Sequence, residues 1–240
     1  MDCVFSGPRV KSSGMSSVEA DFDRLALLDD EGWTTNNHYH NLLLEHVPYK
    51  CENALEIGCG TGAFARQLAK RCGRVVALDL SAEMIRVARL RSTQFDNVEF
   101  QLADAMTWNF PQSHFDFICS IATLHHLEQR ELFVKMRDAL KPGGVLVVLD
   151  LVESDGLVER MLDVIGLGVS PTLRLIHNGR LNPPLEVRRA WEQHGKHDHY
   201  STVTQVRMLA DEILPGSTVK RQLLWRYLLV YQKPTTDLRK

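Results

Sequence analysis

The sequence predicts an α/β protein built on a doubly wound, mostly parallel sheet of seven strands that finishes in an antiparallel hairpin. Three observations carry this. From about residue 53, short and continuously apolar runs alternate with amphipathic ones, the pattern of buried parallel strands covered by helices on both faces. A glycine-rich turn, Gly58-Cys-Gly-Thr-Gly62, follows the first of these runs. The last two apolar runs, 217–224 and 225–233, have almost nothing between them. They must pair antiparallel, because a parallel neighbour needs a crossover of about a dozen residues.

Taken in order, the first 20 residues are polar and rich in Ser and Gly, and read as a disordered arm. Residues 21–50 form a helical cap containing the helix NLLLEHV, with Asn36 or Asn37 available as its N-cap. Residues 51–240 form the main domain. Its first strand is 53–58, followed by a helix over 63–71 that starts at the glycine turn. A strand at 74–80 leads to a helix over 81–91, with Ser81 as N-cap and apolar spacing at Met84, Ile85, Val87 and Ala88. Strands follow at 97–103, 115–121 and 144–151, and a helix at 130–140 is closed by Lys141-Pro-Gly-Gly144. Residues 152–201 interrupt the rhythm as a lid-like insertion, and 202–214 is helical again before the hairpin.

The chain has 240 residues, 44% hydrophobic and 24% charged, which suits one large globular domain. A net charge of −2 gives no support to a broad nucleic-acid or anionic-membrane surface. No apolar run approaches the roughly 18 residues of a membrane span. The five cysteines, Cys3, Cys51, Cys59, Cys72 and Cys119, are odd in number and share no C-x-x-C spacing. They point to free thiols in a cytoplasmic protein. Nothing specifies the oligomeric state.

The glycine turn leaves two ligands open. Gly58, Gly60 and Ala63 fit the pyrophosphate cradle of a dinucleotide site, whereas Gly58, Gly60 and Gly62 behind Glu56 suit a nucleoside without phosphate. Asp79 lies 21 residues after Gly58, the distance at which a carboxylate bonds ribose hydroxyls in either case. Asp104 can accept from an adenine amino group, and the Ala105 N–H can reach a ring nitrogen. Leu80, Met84 and Ala105 supply apolar walls for the purine.

The segments ALEIGCGTG, VVALDLSAEMI, FQLADA, FDFICSIATLHHL and LKPGGVLVV, in this order and spacing, resemble the class I S-adenosylmethionine-dependent methyltransferases. The branch they resemble holds quinone-biosynthesis C-methyltransferases and other small-molecule enzymes. The resemblance is strong over residues 50–152 and extends through the hairpin. It implies a Rossmann-like methyltransferase fold with S-adenosylmethionine as cofactor. It also implies cofactor contacts from Glu56, Gly58, Cys59, Gly60, Gly62, Asp79, Leu80, Met84, Asp104, Ala105 and Ser120, with Tyr39 reaching in from the cap.

Methyl transfer to a heteroatom asks the protein for proximity, orientation and a dry site, plus a base where the nucleophile arrives protonated. His125, just beyond the fourth strand, is the first candidate base, with His126 and Asp150 behind it. Residues 117–127 contain no acidic residue and no Asn/Asp-Pro-Pro-aromatic run. That argues against arginine, catechol-type and nucleic-acid-base acceptors, and for a small organic one. The lid carries seven acidic against six basic residues between Glu153 and Tyr200, which disfavours an RNA clamp. Its expected acceptor contacts are Trp191, His194, His197, His199 and Tyr200, joined by Trp33 and His38 from the cap. His194, His197 and His199 lack the i, i+4 spacing of helical zinc pairs, so no metal site is expected. Three rival readings are a methyltransferase of RNA or protein, a non-catalytic binding module, and a dinucleotide oxidoreductase. The antiparallel ending disfavours the last.

Overall fold

The computed structural model describes residues 15–195 and 198–235. Its strands are Cys51–Ile57 (β1), Cys72–Asp79 (β2), Val98–Leu102 (β3), Phe115–Ile121 (β4), Leu140–Leu151 (β5), Thr218–Gln222 (β6) and Arg226–Gln232 (β7). Its helices are Met15–Leu28 (α1), His40–Leu44 (α2), Ala65–Leu68 (α3), Ala82–Arg91 (α4), Gln129–Ala139 (α5), Leu157–Asn178 (α6), Leu185–His194 (α7) and Val203–Ile213 (α8). The strands form one sheet in the order β3-β2-β1-β4-β5-β7-β6. The first five are parallel, and β7 lies antiparallel between β5 and β6. This is the seven-stranded sheet with an antiparallel finish that the sequence predicts.

Period-two alternation sends the strand residues to two cores. Leu55, Ile57, Ile118, Leu146 and Val148 join Leu132, Phe133 and Met136 of α5 and Val206 and Ala210 of α8. Ala54, Val75, Phe117, Cys119 and Val147 face the other way, against Leu43 of α2 and Ile85 and Ala88 of α4. Each fully buried large apolar side chain contributes roughly 1.5–3 kcal/mol, so this two-sided burial anchors the sheet. Local chemistry sets the helix starts. Ser81 Oγ accepts from Met84 N at 3.0 Å, and Thr202 with Gln205 forms a reciprocal capping box on α8.

Several boundaries depart from expectation. The helix expected over 63–71 is regular only at Ala65–Leu68, because the glycine turn occupies its start. Lys141-Pro-Gly-Gly144 does not form a separate turn but runs inside β5, which begins at Leu140. The expected arm is helical from Met15, while residues 1–14 lie outside the described residues. Asn36 and Asn37 do not cap α2 by side chain. Asn36 Oδ1 accepts from Arg226, and Asn37 ties Thr34 to Gly32. The segment expected as a lid-like insertion holds α6 and α7, and Leu157, Val158, Met161, Val164 and Ile165 of α6 face outward. No helix of the described residues is long and apolar enough to cross a membrane.

His40, buried at the start of α2, has Nδ1 2.9 Å from Gln67 Nε2. Burial pushes its imidazole down to about 4 from an ordinary value of 6.5. Between those values the unfolded chain takes up a proton that the folded one refuses, so stability is full above pH 6.5 and is lost as pH falls toward 4. The expected loss from this residue is about 3 kcal/mol. In denaturant titrations across that window, His40→Gln should flatten the fall in unfolding free energy. An unchanged slope would refute the assignment.

Candidate functional site

β1 ends at the glycine turn, where Gly58, Gly60 and Gly62 have φ of 75°, 52° and 79°. These left-handed values favour glycine, and space demands it as well. A Cβ on Gly58 would stand 2.0 Å from Thr123 Oγ1, and one on Gly62 would stand 2.9 Å from the Phe100 ring. The N–H groups of the turn are largely engaged inside the protein. Gly58 and Cys59 donate to Leu78 O at 2.9 Å, Gly60 to Asp79 Oδ2 at 2.8 Å, and Gly62 to Cys59 O at 2.9 Å. A phosphate-binding turn needs such donors free and convergent. This one offers a close-approach surface and carboxylates instead, which suits the nucleoside alternative.

Asp79 ends β2 beside the turn, and its Oδ1 accepts from Ser81 N at 2.9 Å. Burial raises its carboxyl, and the N–H groups of Ser81 and Gly60 oppose that rise. Glu56 is 2% exposed and its Oε2 has no partner among the described residues. Burial, helped by the Asp79 charge, pushes its carboxyl well above the usual range. A cationic ligand group would satisfy that oxygen. Asp104 Oδ1 accepts from Met106 N at 2.8 Å in a local turn at the end of β3. Ala105 and Met84 are buried and Leu80 is half-buried. Met84 packs with Leu25 of α1 and Ala190 of α7.

Three residues expected at the cofactor have their polar groups engaged within the protein. Ser120 is fully buried, and its hydroxyl donates to Ile57 O at 2.9 Å, so it joins β4 to β1. Tyr39 is buried and donates to Leu223 O at 2.7 Å, pinning the cap to the hairpin. Cys59 directs its thiol at Gly60 O inside the turn, and burial raises that thiol far above its ordinary range.

The candidate bases meet where β4 and β5 end. Asp150 is fully buried and accepts from His125 N at 2.9 Å, His125 Nδ1 at 2.7 Å and Leu151 N at 2.8 Å. It therefore orients His125 through two of these bonds. The carboxylate on Nδ1 places the imidazole proton there and leaves the Nε2 lone pair facing Asp198 Oδ2, 4.0 Å away. His126 sits 3.5 Å from Asp198 through Nδ1 and 3.3 Å from His194 through Nε2. Burial, then the neighbouring His125, pushes its imidazole down to about 4.

A cavity of about 610 Å³ opens beside Asp198, lined by Val152, Glu153, Asp198, His199, Tyr200 and Arg226 among others, and Asp198 and Tyr200 stand between it and the two histidines. His199 and Tyr200, expected as acceptor contacts, line this cavity, with the Tyr200 ring 5.2 Å from that of His125. His194 is buried behind His126 and packs on Phe22 of α1. Trp191 is 49% exposed with its ring edge-on to His194, and Trp33 stacks on His177 at the end of α6 with His38 against its edge. Neither tryptophan lines the cavity. His197 lies outside the described residues.

Two functional positions escaped the sequence reading. Asp198, between two histidines, draws His125, His126 and Asp198 into one group with ligand atoms within 4.8 Å of each other. Arg226, a lone charge in an apolar strand, is buried with its guanidinium on Asn36 Oδ1 at 2.7 Å and Thr35 Oγ1 at 3.1 Å. Burial lowers it to about 10 while Asp150 opposes that fall.

Comparison with known proteins fits this geometry. A family model described as a methyltransferase domain matches residues 54–144. An uncharacterised methyltransferase of Mycobacterium tuberculosis is 31% identical over 218 residues, covering 85% of this chain and 99% of that one. Phosphoethanolamine N-methyltransferase 2 of Caenorhabditis elegans is 35% identical over 101 residues, 40% of this chain and 23% of that protein. Among solved structures, the N-methyltransferase NodS of Bradyrhizobium japonicum, in complex with S-adenosylhomocysteine, superposes with a TM-score of 0.61 at 21% identity. The match covers 90% of this chain and 98% of that one.

The glycine turn yields a direct expectation. Gly58→Ala adds a left-handed backbone penalty to an overlap with Thr123, and should destabilise the fold by at least about 2 kcal/mol. Chemical denaturation of the variant checks this. A midpoint equal to that of the parent chain would show that the turn is not packed as described.

Proposed function

The chain belongs to the class I S-adenosylmethionine-dependent methyltransferases, and we propose that it moves a methyl group to oxygen, nitrogen, sulfur or an activated carbon of a small organic acceptor. The observation that carries this reading is the His125–Asp150 pair, held beside a cavity on the sheet edge where the glycine turn also lies. When bound, S-adenosylmethionine supplies an electrophilic methyl carbon on a cationic sulfonium. The unpartnered Glu56 oxygen and the glycine turn that excludes any Cβ fit such a ligand. Glu56 would meet its methionyl ammonium, Asp79 its ribose hydroxyls and Asp104 its adenine amino group. Gly58, Gly60 and Gly62 would allow its close approach, and Leu80, Met84 and Ala105 would flank the purine.

The chain's own chemistry is orientation and proton removal. Asp150 holds His125 with its proton on Nδ1, so Nε2 is ready to take a proton from an acceptor O–H or N–H. The residue-152–201 lid and the residue-21–50 cap select the acceptor in this reading, with His199 and Tyr200 the lid side chains on the cavity. The phosphoethanolamine methyltransferase resemblance supports a small acceptor. Four buried free thiols, Cys51, Cys59, Cys72 and Cys119, suit a reducing cytoplasm.

The test is transfer of labelled methyl groups from S-adenosylmethionine into a cell extract divided by dialysis. Label should enter the dialysable fraction. Label confined to retained RNA or protein would overturn the small-acceptor reading. With an O–H or N–H acceptor in hand, His125→Ala should lower kcat by about 10²–10⁴-fold. Cofactor affinity should stay unchanged.

A further inference from the structure

A second chemistry is gathered beside the proposed base. Where the turn after β4 meets the end of the lid, His125, His126 and Asp198 bring one ligand atom each to within 4.8 Å of the others. Asp198 Oδ1 lies 3.5 Å from His126 Nδ1, and Asp198 Oδ2 lies 4.0 Å from His125 Nε2. We propose that these three side chains form a divalent transition-metal site of the zinc class, with its open coordination position toward the acceptor cavity.

Four observations support it. Two imidazoles and a carboxylate are a borderline N/O donor set, matched to Zn(II) and its first-row neighbours and poorly matched to Mg(II) or Ca(II). Ligand atoms of a tetrahedral zinc centre stand about 3.4 Å apart, so the observed separations close with side-chain shifts of about 1 Å or less. The supporting shell is already built. Asp150 holds His125 Nδ1 at 2.7 Å and aims Nε2 at the site, the carboxylate–histidine arrangement that orients metal ligands. Tyr200 Oη donates to Asp198 Oδ2 at 2.9 Å, and His194 Nε2 meets His126 Nε2 at 3.3 Å.

The fourth observation is electrostatic. The Asp198 side chain is 6% exposed, yet among the described residues its one hydrogen-bond donor is the neutral Tyr200 hydroxyl. A buried carboxylate so thinly supported is costly, and a cation among it and two imidazoles removes that cost. The ion would tie the lid residue Asp198 to the turn carrying His125 and His126. It would also take His125 Nε2 as a ligand, leaving its open position to polarise the acceptor heteroatom in place of the free imidazole. That last role rests on the methyl-transfer reading of the pocket, whereas metal binding does not.

The experiment uses the full chain, stripped with a chelator and titrated with Co(II) as the spectroscopic probe, then with Zn(II) as competitor. One equivalent should bind with the intense visible bands of a four-coordinate centre, and Zn(II) should displace it. Asp198→Asn and His126→Gln should each weaken binding at least tenfold while both still bind S-adenosylmethionine, which reports an intact fold. If either variant fails to fold, the other, together with Zn(II)-dependent stabilisation of the parent chain, carries the test. Absence of a four-coordinate spectrum, or affinity unchanged by the folded variants, would overturn the site. Metal binding without methyl transfer would refute the proposed reaction and leave the site standing. Transfer unaffected by the chelator would remove the ion's part in activating the acceptor.

Discussion

A single buried carboxylate organises the edge of the sheet where the chemistry lies. Asp150 is fully excluded from solvent, and a carboxylate there is costly unless several donors converge on it. It takes two from His125 and one from its own successor, Leu151. That demand determines the path of the chain after β4, since both donors of His125 face one side chain only if the turn folds back toward β5. It also explains the buried Arg226 on the neighbouring strand, whose positive charge is favoured by Asp150. Arg226 in turn reaches Thr35 and Asn36, so the N-terminal cap, the closing hairpin and the sheet edge share one electrostatic centre.

The glycine turn shows how one sequence pattern serves two ligand classes by hydrogen-bond assignment alone. The same three glycines could cradle a pyrophosphate if their N–H groups pointed outward. Here those N–H groups are absorbed by Leu78 O, Asp79 and Cys59 O. What remains on the ligand side is acidic, in Glu56 and Asp79, and acid repels phosphate while favouring an ammonium and ribose hydroxyls. Helix α1 and the residue following it, Asp29, reinforce the arrangement from outside. Asp23 Oδ1 accepts from Ser81 Oγ at 2.5 Å, and Asp29 Oδ2 accepts from Thr61 Oγ1 at 2.6 Å. The turn is thereby held between the sheet and the cap.

Much of the sheet was legible in the sequence because parallel strands buried on both faces leave uninterrupted apolar runs. Phe115–Ile121 matches its expected limits, and Ser81 caps α4 as its hydroxyl allows. His125 stood out for the same local reason, as the first polar residue pair after an apolar strand. What escaped was tertiary. Nothing near Asp198 indicates that a residue 72 positions after His126 returns beside it, and nothing near Asp150 shows that its carboxylate faces His125. The resemblance implies Ser120 and Tyr39 as cofactor contacts, but it does not tell what else their hydroxyls meet. Their partners, Ile57 O and Leu223 O, are backbone carbonyls that sequence does not display.

The strand order has a consequence for how the chain is made. β7, the last strand in the sequence, lies inside the sheet, between β5 and β6. While a ribosome is still producing residues before Arg226, the outer edge of β5 has no partner. Leu146, Val147, Val148 and Leu149 then present an apolar backbone ladder open to any passing strand. Pairing β5 with β7 must also wait for α6, α7 and α8 to emerge, which makes it a slow, long-range closure. The nascent protein therefore carries this open apolar edge until Arg226–Gln232 has emerged, and chaperone demand should persist until then.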